Sequence, residues 1–153
     1  MTSDTNPTRE GSRPKPGSER AGRGGVTRRP PQGPGLYDDR MARDLFAGIY
    51  VRDYEEAKAW YTRLLGSEPS FIPHATEAVW ELAENRWIYI NQNPEHAGHA
   101  ALTAFVDDLD ALVSQISERG IEPATDETYS EGARKISYRD PDGNEIGFGA
   151  SPN

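Results

Sequence analysis

The sequence predicts an α+β domain made of one β-α-β-β-β unit used twice, and three observations lead there. Val51-Arg52-Asp53 and Val106-Asp107-Asp108 form matching strand-to-helix junctions 55 residues apart. Gly66 and Gly120 stop the two helices that follow, at nearly equal distances from those junctions. Three short strand-like segments come after each helix, and the last of them leaves the turn Asp140-Pro141-Asp142-Gly143-Asn144. A pattern that restarts after a fixed interval is the mark of internal duplication.

Taken in order, residues 45–51 alternate, with Ala47, Ile49 and Val51 on one face and Phe46, Gly48 and Tyr50 on the other. Asp53 is placed to cap the next helix and Glu56 completes a capping-box pattern. Ala57, Trp60, Tyr61 and Leu64 recur at helical spacing, giving an amphipathic helix of about 12 residues. Strands are predicted over 70–73, 77–82 and 86–91. The first is weak, flanked by Pro69 and Pro73. The other two form a hairpin across Ala83-Glu84-Asn85 and bring Trp80, Leu82, Trp87 and Tyr89 to the sheet.

After a connection at residues 93–98 the second unit begins with a strand over 100–106. Asp107 or Asp108 caps a helix whose apolar positions are Leu109, Leu112, Val113 and Ile116. Three more strands are predicted over 121–125, 133–139 and 144–148. Asp, Pro, Asp and Gly at 140–143 satisfy a type I turn that closes the final hairpin. Ile146 and Phe148 then share an apolar face, while Glu145, Gly147 and Gly149 make a nearly bare one. A glycine-lined sheet face suggests room for a ligand.

Composition divides the chain. Residues 1–40 are an Arg-, Pro- and Gly-rich tail with almost no large apolar side chain before Leu36, and are expected to stay disordered. They hold eight basic and five acidic residues, so the rest carries nine basic and twenty acidic ones. Met41, at this boundary, is a candidate start of translation. The ordered domain is expected over 44–150, as module one (44–92), a linker (93–98) and module two (99–150). An acidic domain argues against nucleic acid, which needs clustered Lys and Arg. With no cysteine, neither a disulfide framework nor a thiolate metal site is available. No run reaches the roughly 18 apolar residues of a membrane span, and a cytoplasmic protein is expected.

These elements resemble the vicinal oxygen chelate superfamily, which includes glyoxalase I, extradiol dioxygenases, fosfomycin-resistance enzymes and bleomycin-resistance proteins. The resemblance rests on Val51-Arg52-Asp53 leading into Trp60-Tyr61 and Leu64-Leu65-Gly66. Phe105-Val106-Asp107-Asp108-Leu109 and Asp140-Pro141-Asp142-Gly143-Asn144 follow in the same order. It implies duplicated βαβββ modules that curl mixed sheets into a cup, helices outside and ligand inside. Metal-dependent members place a His on the first strand of each module and a carboxylate on the last strand. The matching positions here are Phe46, Ala101 and Gly147, none able to bind a divalent ion. A displaced site would need His99, Glu145 and Asp44, the last at a strand end. His74 and His96 read as loop residues. No metal and no cofactor is expected.

What remains is a pocket. Parity assigns Phe46, Gly48, Tyr50, Ala101, Thr103, Phe105, Glu145 and Gly147 to its wall, with Trp80, Trp87 and Tyr89 joining from the hairpin. Small residues at 48, 101 and 147 would leave volume, and Glu145 would orient a donor. An aromatic cup with one carboxylate suits a planar or cationic organic molecule. The expected function is therefore sequestration or carriage of a small molecule by a metal-free homodimer, in the manner of bleomycin-resistance proteins. The alternatives are an enzyme of the same superfamily and an interaction module whose cup is filled by its own side chains. No nucleophile elbow and no phosphate loop is present, so no catalytic residue is assigned.

Overall fold

The computed structural model describes residues 44–152; the expected disorder of the tail and the candidate start at Met41 lie outside the described residues. Strand β1 (Leu45–Val51) leads into helix α1 (Tyr54–Leu65), then β2 (Phe71–His74), β3 (Glu77–Ala83) and β4 (Arg86–Gln92). The series repeats as β5 (Ala101–Phe105), α2 (Leu109–Glu118), β6 (Thr125–Thr128), β7 (Arg134–Arg139) and β8 (Glu145–Ala150). Each unit makes its own four-stranded mixed sheet, ordered β1-β4-β3-β2 and β5-β8-β7-β6. The first and last strands of each unit pair in parallel, and the other neighbours are antiparallel.

The helices start as their sequences dictate. Asp53 accepts from the Glu56 amide and Asp108 from the Ala111 amide, each at 2.9 Å. Gly66 closes α1 in the left-handed region (φ 73°). At the end of α2 the Gly120 amide bonds the Ser117 carbonyl and the Ile121 amide bonds the Ile116 carbonyl, the double bond of a Schellman motif. Ile121 and Ile116 are both buried beside it. That motif corrects the strand predicted over 121–125: Ile121 serves the helix cap, Pro123 offers no amide, and pairing begins only at Thr125.

One face of each sheet carries the core. Ile49, Val51, Trp80, Ile88 and Ile90 from the first sheet and Ile136, Tyr138, Ile146 and Phe148 from the second join a single cluster with both helices. Each helix lies on the side away from its sheet's open face. Within one chain the two sheets are not closed against each other.

The turn at 140–144 does more than reverse the chain. Asp140, 5% exposed, accepts the Asp142 and Asn144 amides on Oδ1, both at 2.9 Å. Its Oδ2 accepts Tyr61 Oη from α1 (2.8 Å) and Asn144 Nδ2 (2.7 Å). Asn144 also donates to the Tyr50 carbonyl (3.0 Å) and accepts the Ala100 amide (2.9 Å). Asp142 Oδ2 accepts the Arg52 amide (3.0 Å). Thus three polar side chains of one turn join module two to module one. At the other end, Arg119 donates from Nη2 to the Leu64 carbonyl (3.0 Å) and from Nε to the Arg63 carbonyl, capping α1 from α2.

Candidate functional site

The open face of the first sheet follows from strand parity and register. Phe46 of β1 faces Trp87 of β4, Gly48 faces Tyr89, and Tyr50 faces Asn91. The Phe46 and Trp87 rings stack at 5.6 Å and 7°, and Phe71 from β2 meets Trp87 edge-on at 5.9 Å. Phe46, Tyr50 and Phe71 are 47, 44 and 45% exposed, so this aromatic ledge faces outward. Beside it runs a polar row. Asn91 Nδ2 donates to Glu77 Oε2 (2.6 Å), and His74 Nε2 lies 3.3 Å from the same oxygen. His74 is therefore a strand residue on the open face, a placement its neighbouring prolines obscured in the sequence.

The second sheet's open face is small and charged. Ala101 faces Glu145, Thr103 faces Gly147 and Phe105 faces Gly149. From β7, Lys135 Nζ donates to Glu145 Oε1 (2.9 Å), Arg139 Nη2 to Oε2 (3.2 Å) and Ser137 Oγ to Oε1 (3.4 Å). The Lys135 hydrogen bond and charge hold the Glu145 carboxyl below the usual carboxylate range, and Glu145 in turn raises the Lys135 ammonium.

Three site expectations are corrected here. Trp80 does not reach the open face: it is 1% exposed, its Nε1 donates to the Ser67 carbonyl (3.0 Å), and its ring lies 6.0 Å from Tyr61 in the core. Parity decides this, because Trp80 pairs with the buried Ile88 while Trp87 pairs with the outward Phe46. The glycines are not open floor. A side chain at Gly48 would strike the Tyr89 phenol, one at Gly147 would meet Lys135 Cε and Thr103 Oγ1, and one at Gly149 the Phe105 ring. Glycine allows a cross-strand neighbour to lie flat over its backbone. Finally, Glu145 is not a free carboxylate but the counterion of Lys135 and Arg139. Phe46, Tyr50, Trp87 and Tyr89 are gathered on one sheet, and Ala101, Thr103, Phe105, Glu145 and Gly147 on the other.

The donor set does not fit a divalent ion at the superfamily's position: Phe46 stacks on Trp87, Ala101 offers a methyl and Gly147 a hydrogen. Among the described residues no three His, Asp or Glu side chains gather as a metal site. A cleft of about 460 Å³ opens beside the start of α2, lined by Phe105, Asp107, Asp108, Asp110 and Arg134 among others. Arg134 bridges Asp110 (2.6 Å) and Asp126 (2.7 Å) there.

Residues 43–148 match the family model of the Glyoxalase/Bleomycin resistance protein/Dioxygenase superfamily. The chain belongs to that superfamily. A glyoxalase/bleomycin resistance protein from Catenulispora acidiphila is 58% identical, with a TM-score of 0.71 over 72% of this chain and 100% of that one. The bleomycin resistance determinant encoded on transposon Tn5 is 19% identical, with a TM-score of 0.62 over 73% of this chain and all of the other. A bleomycin-binding protein complexed with bleomycin is also 19% identical, with a TM-score of 0.60 over 72% and 100%. At such identities the last two likenesses speak for the fold. No curated protein matches the chain. Among the described residues no helix is long and apolar enough to cross a membrane.

Proposed function

We propose that this superfamily member binds a small aromatic molecule without covalent chemistry, sequestering or carrying it. The supporting observation is the stacked pair of Phe46 and the half-buried Trp87, with Phe46 exposed where metal-dependent relatives would present their first histidine. A flat ring can extend that stack, gaining apolar burial and quadrupole contact together. The protein complexed with bleomycin shares this fold. A homodimer completes the site in this proposal: the aromatic face of one copy closes over the charged face of another, the two faces belonging to separate sheets within a chain. A cytoplasmic setting is in keeping with a chain lacking cysteine.

The test is a thermal-shift and tryptophan-fluorescence titration with planar aromatic probes. Binding should raise the midpoint, and Trp87→Ala should weaken it by about tenfold or more, as loss of a buried aromatic anchor does. No stabilisation by any probe would overturn the proposal, as would stoichiometric metal whose chelation abolishes a measurable turnover. One observation favours a second reading, a metal-free acid–base enzyme: His74 sits against Glu77 on the ligand face. Turnover of a bound carbonyl compound that disappears in His74→Gln, with binding intact, would select it.

A further inference from the structure

We infer that the ligand carries an anionic oxygen beside its ring (a carboxylate, phenolate or enolate), and that the Lys135 ammonium receives it. This rests on the binding function proposed above and names the chemical class of the ligand. Gly147 stands where metal-dependent relatives carry their carboxylate. With no side chain there, the stem of Lys135 crosses the strand, its Cε 2.6 Å from where a Cβ would stand. The position that would hold an acid for a metal is thus covered by a fixed cation of the protein's own.

Glu145 orients that cation without using it up. Lys135 Nζ has three N–H groups, and among the described residues it donates only to Glu145, at 2.9 Å. Arg139 adds a second positive charge to the same carboxylate at 3.2 Å, so Lys135, Arg139 and Glu145 by themselves carry one surplus positive charge. The other carboxylate in this row, Glu127, stands opposite Lys135 on the edge strand and balances the charge of the row, but it takes Tyr129 Oη at 3.3 Å while the Lys135 hydrogen bond goes to Glu145. The Ser137 and Thr103 hydroxyls flank Gly147 in the register, one from each neighbouring strand. Donors therefore outnumber free acceptors here, which suits an acceptor on the ligand. A cationic ligand group placed over Gly147 would meet the Lys135 ammonium first, a repulsion that grows as water is excluded.

The experiment titrates the full chain with three probes of one shape: 2-naphthoate, 2-naphthylmethanol and 2-naphthylmethylammonium. The carboxylate should bind about tenfold more tightly than the alcohol, as befits one charge-assisted hydrogen bond, and the ammonium most weakly. Lys135→Met should erase the preference, and Lys135→Arg should restore most of it. An ammonium that binds as well as the carboxylate overturns the inference, as does a carboxylate preference that survives in Lys135→Met. Equal binding of acid and alcohol removes this inference alone; failure of all three probes removes the proposed binding function with it. Should Lys135→Met fail to fold by circular dichroism, added salt decides on the wild type. Raising it from roughly 0.05 to 0.5 M must weaken the acid and spare the alcohol, and an equal response overturns the inference.

Discussion

Asp140 shows how much one buried carboxylate can organise. Its two oxygens take four hydrogen bonds, so the charge is compensated even at 5% exposure. Burial, followed by the Asp140 charge, pushes the Tyr61 phenol far above its usual range, so Tyr61 stays protonated and stays a donor. Tyr61→Phe should cost about 1.5–3 kcal/mol in urea unfolding, the range for a hydrogen bond to a charged group. A change under about 0.5 kcal/mol, ordinary for a surface site, would show that the bond contributes little. The two hairpin tryptophans should separate cleanly. Trp80→Ala should lose about 3–5 kcal/mol of stability as a core truncation, and Trp87→Ala much less stability but the probe binding. Equal losses of stability would contradict the assignment of faces. Glu145 gives a pH dependence of known sign. Its folded value is depressed, so its contribution is present above the usual glutamate value of about 4.3 and is lost as pH falls through the folded value. Acidification below about pH 4 should therefore lower the unfolding midpoint of wild type more than that of Glu145→Gln; parallel profiles would remove Glu145 from the account.

Among the elements, the connections decide more than the strands. Alternation in β1 and β8 is legible directly from residues such as Ile49 against Tyr50, and the helix caps were visible as Asp53 and as one of Asp107 and Asp108, the structure choosing Asp108. The start of β6 was not, because Ile121 looks like a strand residue until its amide is seen on the Ile116 carbonyl. Two glycines with the same φ test the linker. Gly98 and Gly143 both have φ of 90°, but a Cβ on Gly98 would stand 2.5 Å from the Asp142 carbonyl oxygen, while one on Gly143 meets nothing within 4 Å. Gly143→Ala should cost only backbone strain, about 1–2 kcal/mol. Gly98→Ala adds an overpacking cost of about 1–3 kcal/mol, because the linker and the inter-module turn cannot both keep their places. Comparable unfolding midpoints for the two variants would show that the turn moves aside freely.

One core joins both modules while the second face of each sheet stays outside it, and among the described residues Phe105, at 71% exposure, is the most exposed large apolar side chain. If a second copy covers these faces, sedimentation equilibrium should give a dimer, and Phe105→Asp should give a folded monomer that loses binding of planar aromatic probes. A wild-type chain that remains monomeric at high concentration and still binds the probes would place the whole site within one copy. The sequence by itself determined the duplicated unit, the caps, the turn and the residues at the three metal positions, since each depends on local periodicity or on side-chain chemistry. Only the tertiary structure decided that Trp80 faces inward, that Tyr89, Lys135 and Phe105 cover the glycines, that Glu145 is neutralised, and that the Asp140 turn joins the modules. Those outcomes depend on which residues lie opposite one another across strands far apart in the chain, and cross-strand register is set by the packed core as a whole.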